Sequence, residues 1–178
     1  MSRFNSSKPF QPALLDDPDH RPRFVLHLHL GPHLHFDFRI EMGDELADFA
    51  LPDGPSSDPG VRVRAIRMHD HKKSILNFEG IMRMHGQEAG RLVISDNGEI
   101  LPEGSDRDTP ENLIRNGLDT GYLRLTVFGE RMKGDYILQR EEEAWSLRKV
   151  DDDGKFSYLL GDLPTSVISG KTIQQLED

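Results

Sequence analysis

Imidazole, carboxylate and guanidinium groups recur at every second or fourth position between residues 27 and 39. They are His27, His29, His33, His35, Asp37 and Arg39. In a β-strand, side chains two residues apart share a face and lie about 6.6–7 Å from each other. Two imidazoles and a carboxylate at this spacing can converge on one metal ion. Their nitrogen and oxygen atoms suit Zn, Mn, Fe, Co or Ni better than Ca or Mg.

The break at Gly31-Pro32 divides this polar run into two parts. Only the second part, from His33 to Arg39, is expected to keep its polar side chains on one strand face. A metal site would take His35 and Asp37 from that part and a third ligand from the segment before the break. The alternative is a polar strand face that is exposed to water and binds no ion.

A second histidine pair, His69 and His71, lies in a basic stretch of the chain. Residues 61–91 carry seven Arg and Lys against three Asp and Glu. One interpretation is a solvated strand face. The other is a phosphate site, because Arg presents a bidentate fork to phosphate oxygens and an imidazole can transfer protons. Beside a metal ion, these cations would stabilise the charge of a phosphoryl-transfer transition state.

The elements that would position these groups are short β-strands. The polar positions of 33–41 alternate with Leu34, Phe36, Phe38 and Ile40, which predicts a half-buried strand. Further strands are predicted at residues 24–29, 45–51, 61–69, 91–95, 122–128, 134–141 and 144–149. The sequence Asp96-Asn97-Gly98 predicts a turn directly after the strand at 91–95.

One helix is predicted at residues 109–118 and a second, shorter one at residues 172–177. Thr109 would cap the first helix, Pro110 would occupy its first position, and Gly117 would end it. Many short strands with few helices predict a mainly β protein. We expect a small antiparallel β-barrel with one or two short outer helices.

Length and composition indicate one globular domain in 178 residues, of which 35% are hydrophobic and 30% charged. We predict a flexible N-terminal arm over residues 1–23, the barrel over residues 24–163 and a tail over residues 164–178. No apolar run predicts a membrane span or a secretory signal, and the absence of Cys excludes disulfides and thiolate metal ligands. A cytoplasmic protein is expected.

The net charge of −9 opposes nucleic-acid binding at first sight. The charge is unevenly distributed, however. Residues 96–178 carry 18 Asp and Glu against 10 Lys and Arg, whereas residues 1–95 carry 13 Asp and Glu against 12 Lys and Arg. All eight His also lie in residues 1–95. Any DNA contact is therefore expected to be local, weak and strongly dependent on salt.

Several short motifs follow one another in a characteristic order between Phe24 and Thr172. They are Leu34–Glu41, Ala50–Pro59, Asp70-His71, Asn77–Ile81, Gly121–Leu138, Trp145–Lys149 and Ser166–Thr172. In this ordered combination the sequence resembles the 3′-phosphoesterase domain of bacterial DNA ligase D, a multidomain enzyme of non-homologous end joining. Here the domain is expected as a stand-alone chain.

The resemblance implies a metal-dependent hydrolase in DNA repair. Such a domain removes a 3′-terminal ribonucleoside and then the 3′-phosphate of DNA or DNA/RNA ends, leaving a 3′-hydroxyl. The metal ligands it implies are His29, His35 and Asp37, with Mn²⁺ as the first choice and Zn²⁺ or Co²⁺ as alternatives. The phosphate-contacting catalytic residues it implies are Arg39 and His71. We also expect substrate contacts from His33, Arg62, Arg64 and His69, and action alone or beside separate DNA ligase and polymerase proteins.

Four positions depart from the family pattern. Asp53 replaces a Lys, Val63 an Arg, His69 a Glu and Ile75 a Tyr. The losses remove phosphate donors, and Asp53 would repel the substrate if it points into the site. They favour an alternative function, a catalytically weakened or inactive metal-binding module that holds DNA ends or a partner. A third interpretation is a cupin-like metalloenzyme, because His33-x-His35 is similar to a cupin ligand pair, but the sequence has no second cupin motif.

Overall fold

The computed structural model describes residues 20–150 and 164–176 of the chain. Within these ranges it contains ten β-strands, one α-helix and two short 3-10 helices. The strands are β1 (Arg23–Leu30), β2 (Leu34–Met42), β3 (Glu45–Leu51), β4 (Arg62–Arg67), β5 (His71–Lys72), β6 (Gly80–Met84), β7 (Gln87–Pro102), β8 (Tyr122–Gly129), β9 (Lys133–Glu141) and β10 (Ala144–Lys149). The helix is α1 (Pro110–Thr120), and the 3-10 helices are Lys73–Asn77 and Ile173–Gln175.

Eight of the strands close into an antiparallel barrel, which confirms the predicted fold class. Their order is β1-β2-β3-β4-β10-β9-β8-β7, and β7 pairs back to β1. β6 pairs with β7 and β5 pairs with β3 outside this ring. The predicted arm falls almost entirely on residues 1–19, which lie outside the described residues, so the predicted domain boundaries stay predictions.

The barrel interior is an apolar core built from one face of each strand. Phe24 and Leu26 of β1, Phe38 and Ile40 of β2, and Phe49 of β3 belong to it. Because successive strand residues point to opposite faces, the polar residues between them lie on the outer face. A smaller apolar cluster also lies there; it comprises Val25, Leu46, Leu76 and Ile94, with Ile75 and Val167 packed against them. The outer face is therefore partly covered, and polar groups on it can be buried.

The predicted turn at residues 96–98 is wrong, because β7 continues through it. The carboxylate of Asp96 accepts hydrogen bonds from the backbone N–H groups of Asn97, Glu130, Arg131 and Met132. Gly98 pairs with Gly129 of β8, and a Cβ at position 98 would lie 2.2 Å from the carbonyl oxygen of Phe128. Asp96 and Gly98 therefore make close contacts between strands and do not reverse the chain direction.

The helix begins as predicted but ends later. Thr109 accepts a hydrogen bond from the N–H of Asn112, and Pro110 follows it. Gly117 lies within the helix, where a Cβ would lie 2.8 Å from a side-chain carbon of Leu123. The left-handed residue that ends the helix is Gly121, with φ of 82°. Gly117 is therefore a packing glycine. No helix in the described ranges has the length and apolar character to cross a bilayer.

Candidate metal centre

The β1–β2 hairpin brings the three predicted metal ligands together. The register pairs His29 with His35 and His27 with Asp37. Directly opposed residues in an antiparallel pair share a face, so the polar groups of both strands lie on the same side. The break at Gly31-Pro32 interrupts the strand as expected, but it also folds the first histidines onto the second group.

The donor atoms of His29, His35 and Asp37 all lie within 4.8 Å of one another. Nδ1 of His29 is 3.0 Å from Oδ2 of Asp37, and Nε2 of His35 is 3.1 Å from Oδ1. The side chain of Asp37 is 4% exposed, while the two imidazoles are 18% and 24% exposed. The centre is therefore a shallow site with a buried carboxylate at its base.

Each of the two imidazoles directs one nitrogen toward the carboxylate of Asp37. Nδ1 of His35 donates to the carbonyl oxygen of His33 at 3.0 Å, which leaves its Nε2 as the donor atom for an ion. Nε2 of His29 is buried and has no hydrogen-bond partner within the described residues. The nitrogen of His29 that faces the carboxylate of Asp37 is instead Nδ1, so Nδ1 is the donor atom placed to share an ion with Asp37 and His35.

Hydrogen bonding and charge keep Asp37 ionised. Burial opposes its ionisation, but the hydrogen bonds from His29 and His35 and the charge of Arg39 hold the pKa of Asp37 well below its usual range. The hydrogen bond with Asp37 in turn raises the pKa of His35. An anionic oxygen between two imidazoles is a donor set that suits Mn, Zn or Co.

Arg39 is buried beneath this centre and uses all three of its nitrogen atoms. Nη2 donates to Asp37 at 2.7 Å, Nε donates to Asp48 at 3.0 Å, and Nη1 donates to Nδ1 of His27 at 2.7 Å. Burial, and next the charge of Arg39, lower the pKa of His27 to about 3, so this imidazole is neutral. Its other nitrogen, Nε2, donates to the carbonyl oxygen of Phe78 at 2.8 Å.

Asp48 of β3 connects Arg39 to His71. It lies opposite Arg39 in the β2–β3 register, and His71 of β5 lies opposite Leu46, two residues before Asp48. Nε2 of His71 is 3.0 Å from Oδ2 of Asp48. Burial raises the pKa of Asp48 to about 6 despite the opposing charge of Arg39, and burial followed by the charge of Arg39 lowers the pKa of His71.

The structure places two predicted substrate-binding histidines beside the centre. His33 is exposed in the β1–β2 turn, directly before the strand that carries His35. His69 is exposed as well, and its ring centroid lies 4.6 Å from that of His71. Both imidazoles are therefore accessible to solvent.

The predicted substrate-binding arginines lie farther away, on β4. Arg62 and Arg64 are exposed on the outer face, and β3 separates their strand from β2. Arg62 forms an ion pair with Glu141. No ion pair of Arg64 is found within the described residues, so its guanidinium is available to an external anion.

Three positions that depart from the family pattern do not supply polar groups to the metal centre. Asp53 is exposed in the loop after β3, and Val63 is buried in the barrel core. Both residues line a cavity of about 260 Å³. Ile75 is partly buried and packs on the outer apolar cluster with Leu76.

Comparison with known proteins identifies the family. The family model described as "DNA Ligase D 3'-phosphoesterase domain" matches residues 27–140, which include the second half of β1, all of β2 and the three candidate ligands. The chain belongs to this family. The membership confirms the predicted resemblance and supports a role in processing DNA ends during repair.

Full-length relatives are much longer than the chain. The "Multifunctional non-homologous end joining protein LigD" of Pseudomonas aeruginosa is 31% identical over 160 residues, which are 85% of this chain and 18% of that protein. The protein of the same name from Mycolicibacterium smegmatis is 28% identical over 73% of this chain and 17% of its own length. The "Multifunctional non-homologous end joining DNA repair protein LigD" of Mycobacterium tuberculosis is 30% identical over 66% of this chain and 14% of its own length.

Two residues of the site were not predicted from the sequence. Asp48 interrupts the apolar run of residues 46–51 in β3, and a carboxylate within that run is the signal that could have found it. Arg67 forms an ion pair with Asp70, donates to the backbone oxygens of Asp48 and Met68, and lies over the ring of Phe49. It thereby anchors the segment that carries His69 and His71.

Proposed function

We propose that this domain is a metal-dependent phosphoesterase that trims DNA 3′ ends to a 3′-hydroxyl. The observation that carries the proposal is the cluster of His29, His35 and Asp37, whose donor atoms all lie within 4.8 Å of one another. Family membership supports the choice of a DNA end as the substrate. The proposed substrates are ends with a 3′-terminal ribonucleoside or a 3′-phosphate.

His29, His35 and Asp37 would hold the ion, which we propose is Mn²⁺, with Zn²⁺ or Co²⁺ as alternatives. When bound, such an ion stabilises negative charge that develops on phosphate oxygens. Arg39 keeps Asp37 ionised and oriented, because Nη2 donates to that carboxylate at 2.7 Å. A direct phosphate contact by Arg39 stays a prediction, since its side chain is 4% exposed and each nitrogen already has a protein partner.

His71 is the proposed proton donor to the leaving oxygen. Its side chain is 28% exposed, and Nε2 is held by Asp48, so the other ring nitrogen remains for the substrate. The burial and neighbouring positive charge that lower its pKa make the proton easier to give up. His33 and His69 are exposed, and Arg64, which has no ion pair within the described residues, provides a cation for the phosphates of the strand end.

The proposal is tested with labelled primer–template DNA that ends in a 3′-ribonucleotide or a 3′-phosphate. Wild-type protein with Mn²⁺ is expected to trim at least one of the two ends, and His35→Ala is expected to lose about 100-fold or more of that rate. His85→Asn is the matched control, because this exposed histidine lies at a hairpin tip with φ of 50°, a conformation that Asn tolerates. Wild-type protein that leaves both ends intact with each of the three metals would refute the proposal.

A second candidate function is a binding module of the same fold with weak or absent catalysis. It is favoured by the apolar side chains of Val63 and Ile75, which pack in the core and on the outer cluster and offer no phosphate donor. Wild-type protein and His35→Ala together distinguish the two functions. If the domain is a binding module, wild-type protein binds DNA ends but does not process them. If it is an enzyme, wild-type protein processes the ends and His35→Ala abolishes the processing.

A further inference from the structure

A buried carboxylate joins two residues that the proposed function needs. Asp48 lies in the middle of β3 between the core residues Ala47 and Phe49, and its side chain is 2% exposed. Its Oδ2 is 3.0 Å from Nε of Arg39 and 3.0 Å from Nε2 of His71. A carboxylate in such a position costs desolvation free energy, which its partners must offset.

An ion pair with Arg39 does not by itself explain why a carboxylate is buried at position 48. Nη2 of Arg39 already donates to the carboxylate of Asp37, and Nη1 donates to neutral His27. Arg39 would therefore keep an anionic partner without Asp48. For His71 the case is different, because Asp48 is the one carboxylate in ion-pair contact with its ring among the described residues.

We propose that Asp48 is a positioning residue that fixes the ring of His71, with Nε2–H toward the protein and Nδ1 toward the substrate. The inference rests on the proposed function, in which His71 gives a proton to the leaving oxygen. β5 pairs with β3, which sets the backbone of His71 near Asp48, and the ring of His69 packs 4.6 Å from that of His71. Backbone pairing, the carboxylate contact and ring packing together favour this orientation of the imidazole.

The orientation determines which proton can move. With Nε2–H facing Asp48, neutral His71 would have its lone pair on Nδ1, and protonated His71 would carry its second proton there. Transfer of the Nδ1 proton to the leaving oxygen would yield a neutral ring whose Nε2–H still faces Asp48. The charged and titratable groups that act on the ring are Arg39 and Asp37 from β2, Asp48 from β3, and His69 and Asp70 from the preceding segment, and Arg67 of β4 pairs with Asp70.

Nitrogen-15 NMR of the metal-free wild-type chain tests the orientation without any assay of activity. The His71 signals are assigned by their loss in His71→Gln. We expect neutral His71 to be mainly the Nε2–H tautomer in wild-type protein and a mixture of tautomers in Asp48→Asn. A wild-type ring that is mainly the Nδ1–H tautomer would overturn the inference, even if Asp48→Asn does not fold.

Kinetics test whether the orientation matters to the reaction. Asp48→Asn is expected to lower kcat about 100-fold on 3′-phosphate ends and to change KM by less than about threefold. In a His71→Ala background the same substitution is expected to add less than about threefold, because Asp48 acts through His71. Asp135→Asn is the control. Asp135 of β9 also forms an ion pair with an arginine, Arg124 of β8, and β4 and β10 separate its strand from β3 in the barrel.

Two kinetic outcomes would refute the positioning role. One is an effect of Asp48→Asn on KM alone, and the other is an undiminished loss in the His71→Ala background. Wild-type protein without any end processing would instead refute the proposed function. The NMR result would then still decide how Asp48 orients the ring.

Discussion

At the scale of single residues, the site depends on a glycine as well as on its polar groups. Nε2 of His29 faces Gly90 of β7, where a Cβ would lie 2.8 Å away. The same Cβ would lie 3.1 Å from the carbonyl oxygen of Leu30, so it would be crowded from two sides. Gly90 thus leaves room for the ring of His29.

Gly90→Ala is therefore expected to weaken metal binding about tenfold or more, because a displaced ligand alters the geometry of the site. Gly31→Ala is the matched control, since its Cβ would meet the same nitrogen at 3.4 Å, which is an ordinary contact. The measurement is Mn²⁺ affinity by calorimetry, with circular dichroism to check folding. Equal affinities of the two variants would show that His29 is not confined as described.

Asp48 should also leave a signature in the dependence of stability on pH. Its folded pKa of about 6 exceeds the ordinary value of about 3.9. A group with a raised pKa contributes stability that is complete below the unfolded value and is lost as pH rises through the folded one. In metal-free protein, the free energy of unfolding of Asp48→Asn should therefore increase by about 1–3 kcal/mol relative to that of wild type as the pH rises from about 4 to 7.

Urea denaturation of both proteins at several pH values measures that difference. Asp135→Asn should show the opposite trend, because hydrogen bonds from Arg124 and Thr126 outweigh burial and lower the pKa of Asp135. If the difference in unfolding free energy between Asp48→Asn and wild type stays constant with pH, the pKa of Asp48 is not raised.

The spacing of the sequence predicted the ligand cluster but not the residues that support it. His35 and Asp37 share a strand face because strand side chains alternate, a rule that needs only local sequence. Asp48 reaches Arg39 across a strand pair and His71 across another. Such contacts depend on register, which a carboxylate within an apolar run does not reveal.

At the scale of elements, β7 shows why a local turn signal failed. The sequence Asp96-Asn97-Gly98 is typical of a hairpin turn when considered alone. In the folded chain, Asp96 instead binds the backbone of the β8–β9 connection, and Gly98 allows β8 to approach. Both requirements come from residues about 30 positions away in the chain, so no window of local sequence contains them.

Asp96→Asn is expected to destabilise the barrel by roughly 2–4 kcal/mol, because an amide NH₂ would face backbone N–H donors in a buried site. Asp106→Asn, at an exposed loop position, should change stability by less than about 0.5 kcal/mol. Urea denaturation measures both variants. An unfolding free energy of Asp96→Asn close to that of wild type would mean that these four hydrogen bonds do not hold the connection.

At the scale of the whole molecule, the negative net charge and a DNA substrate are compatible if contact is confined to one region. The excess of acids lies in residues 96–178, whereas the candidate ligands, His71 and the β4 arginines all lie before residue 96. The β8–β9 part of the barrel is on the far side of the ring from β2. The substrate would therefore meet the near-neutral part of the chain.

Arg64→Ala tests this arrangement through salt dependence. If Arg64 contacts a phosphate, its loss should raise KM several-fold at low salt and reduce the slope of log affinity against log salt by about 1. Arg107→Ala, in the exposed loop before α1, is the control and should leave the slope unchanged. Identical slopes for Arg64→Ala and wild type would place the substrate elsewhere.

The central claim is that the β1–β2 hairpin forms a metal site that processes 3′ ends. The most direct measurement is the rate at which a 3′-phosphate primer becomes a 3′-hydroxyl primer as Mn²⁺ is added to chelator-treated protein. We predict a rate that requires the metal, falls about 100-fold or more in His29→Ala and persists in His85→Asn. Processing at the wild-type rate by His29→Ala, or by chelator-treated protein without added metal, would contradict the claim.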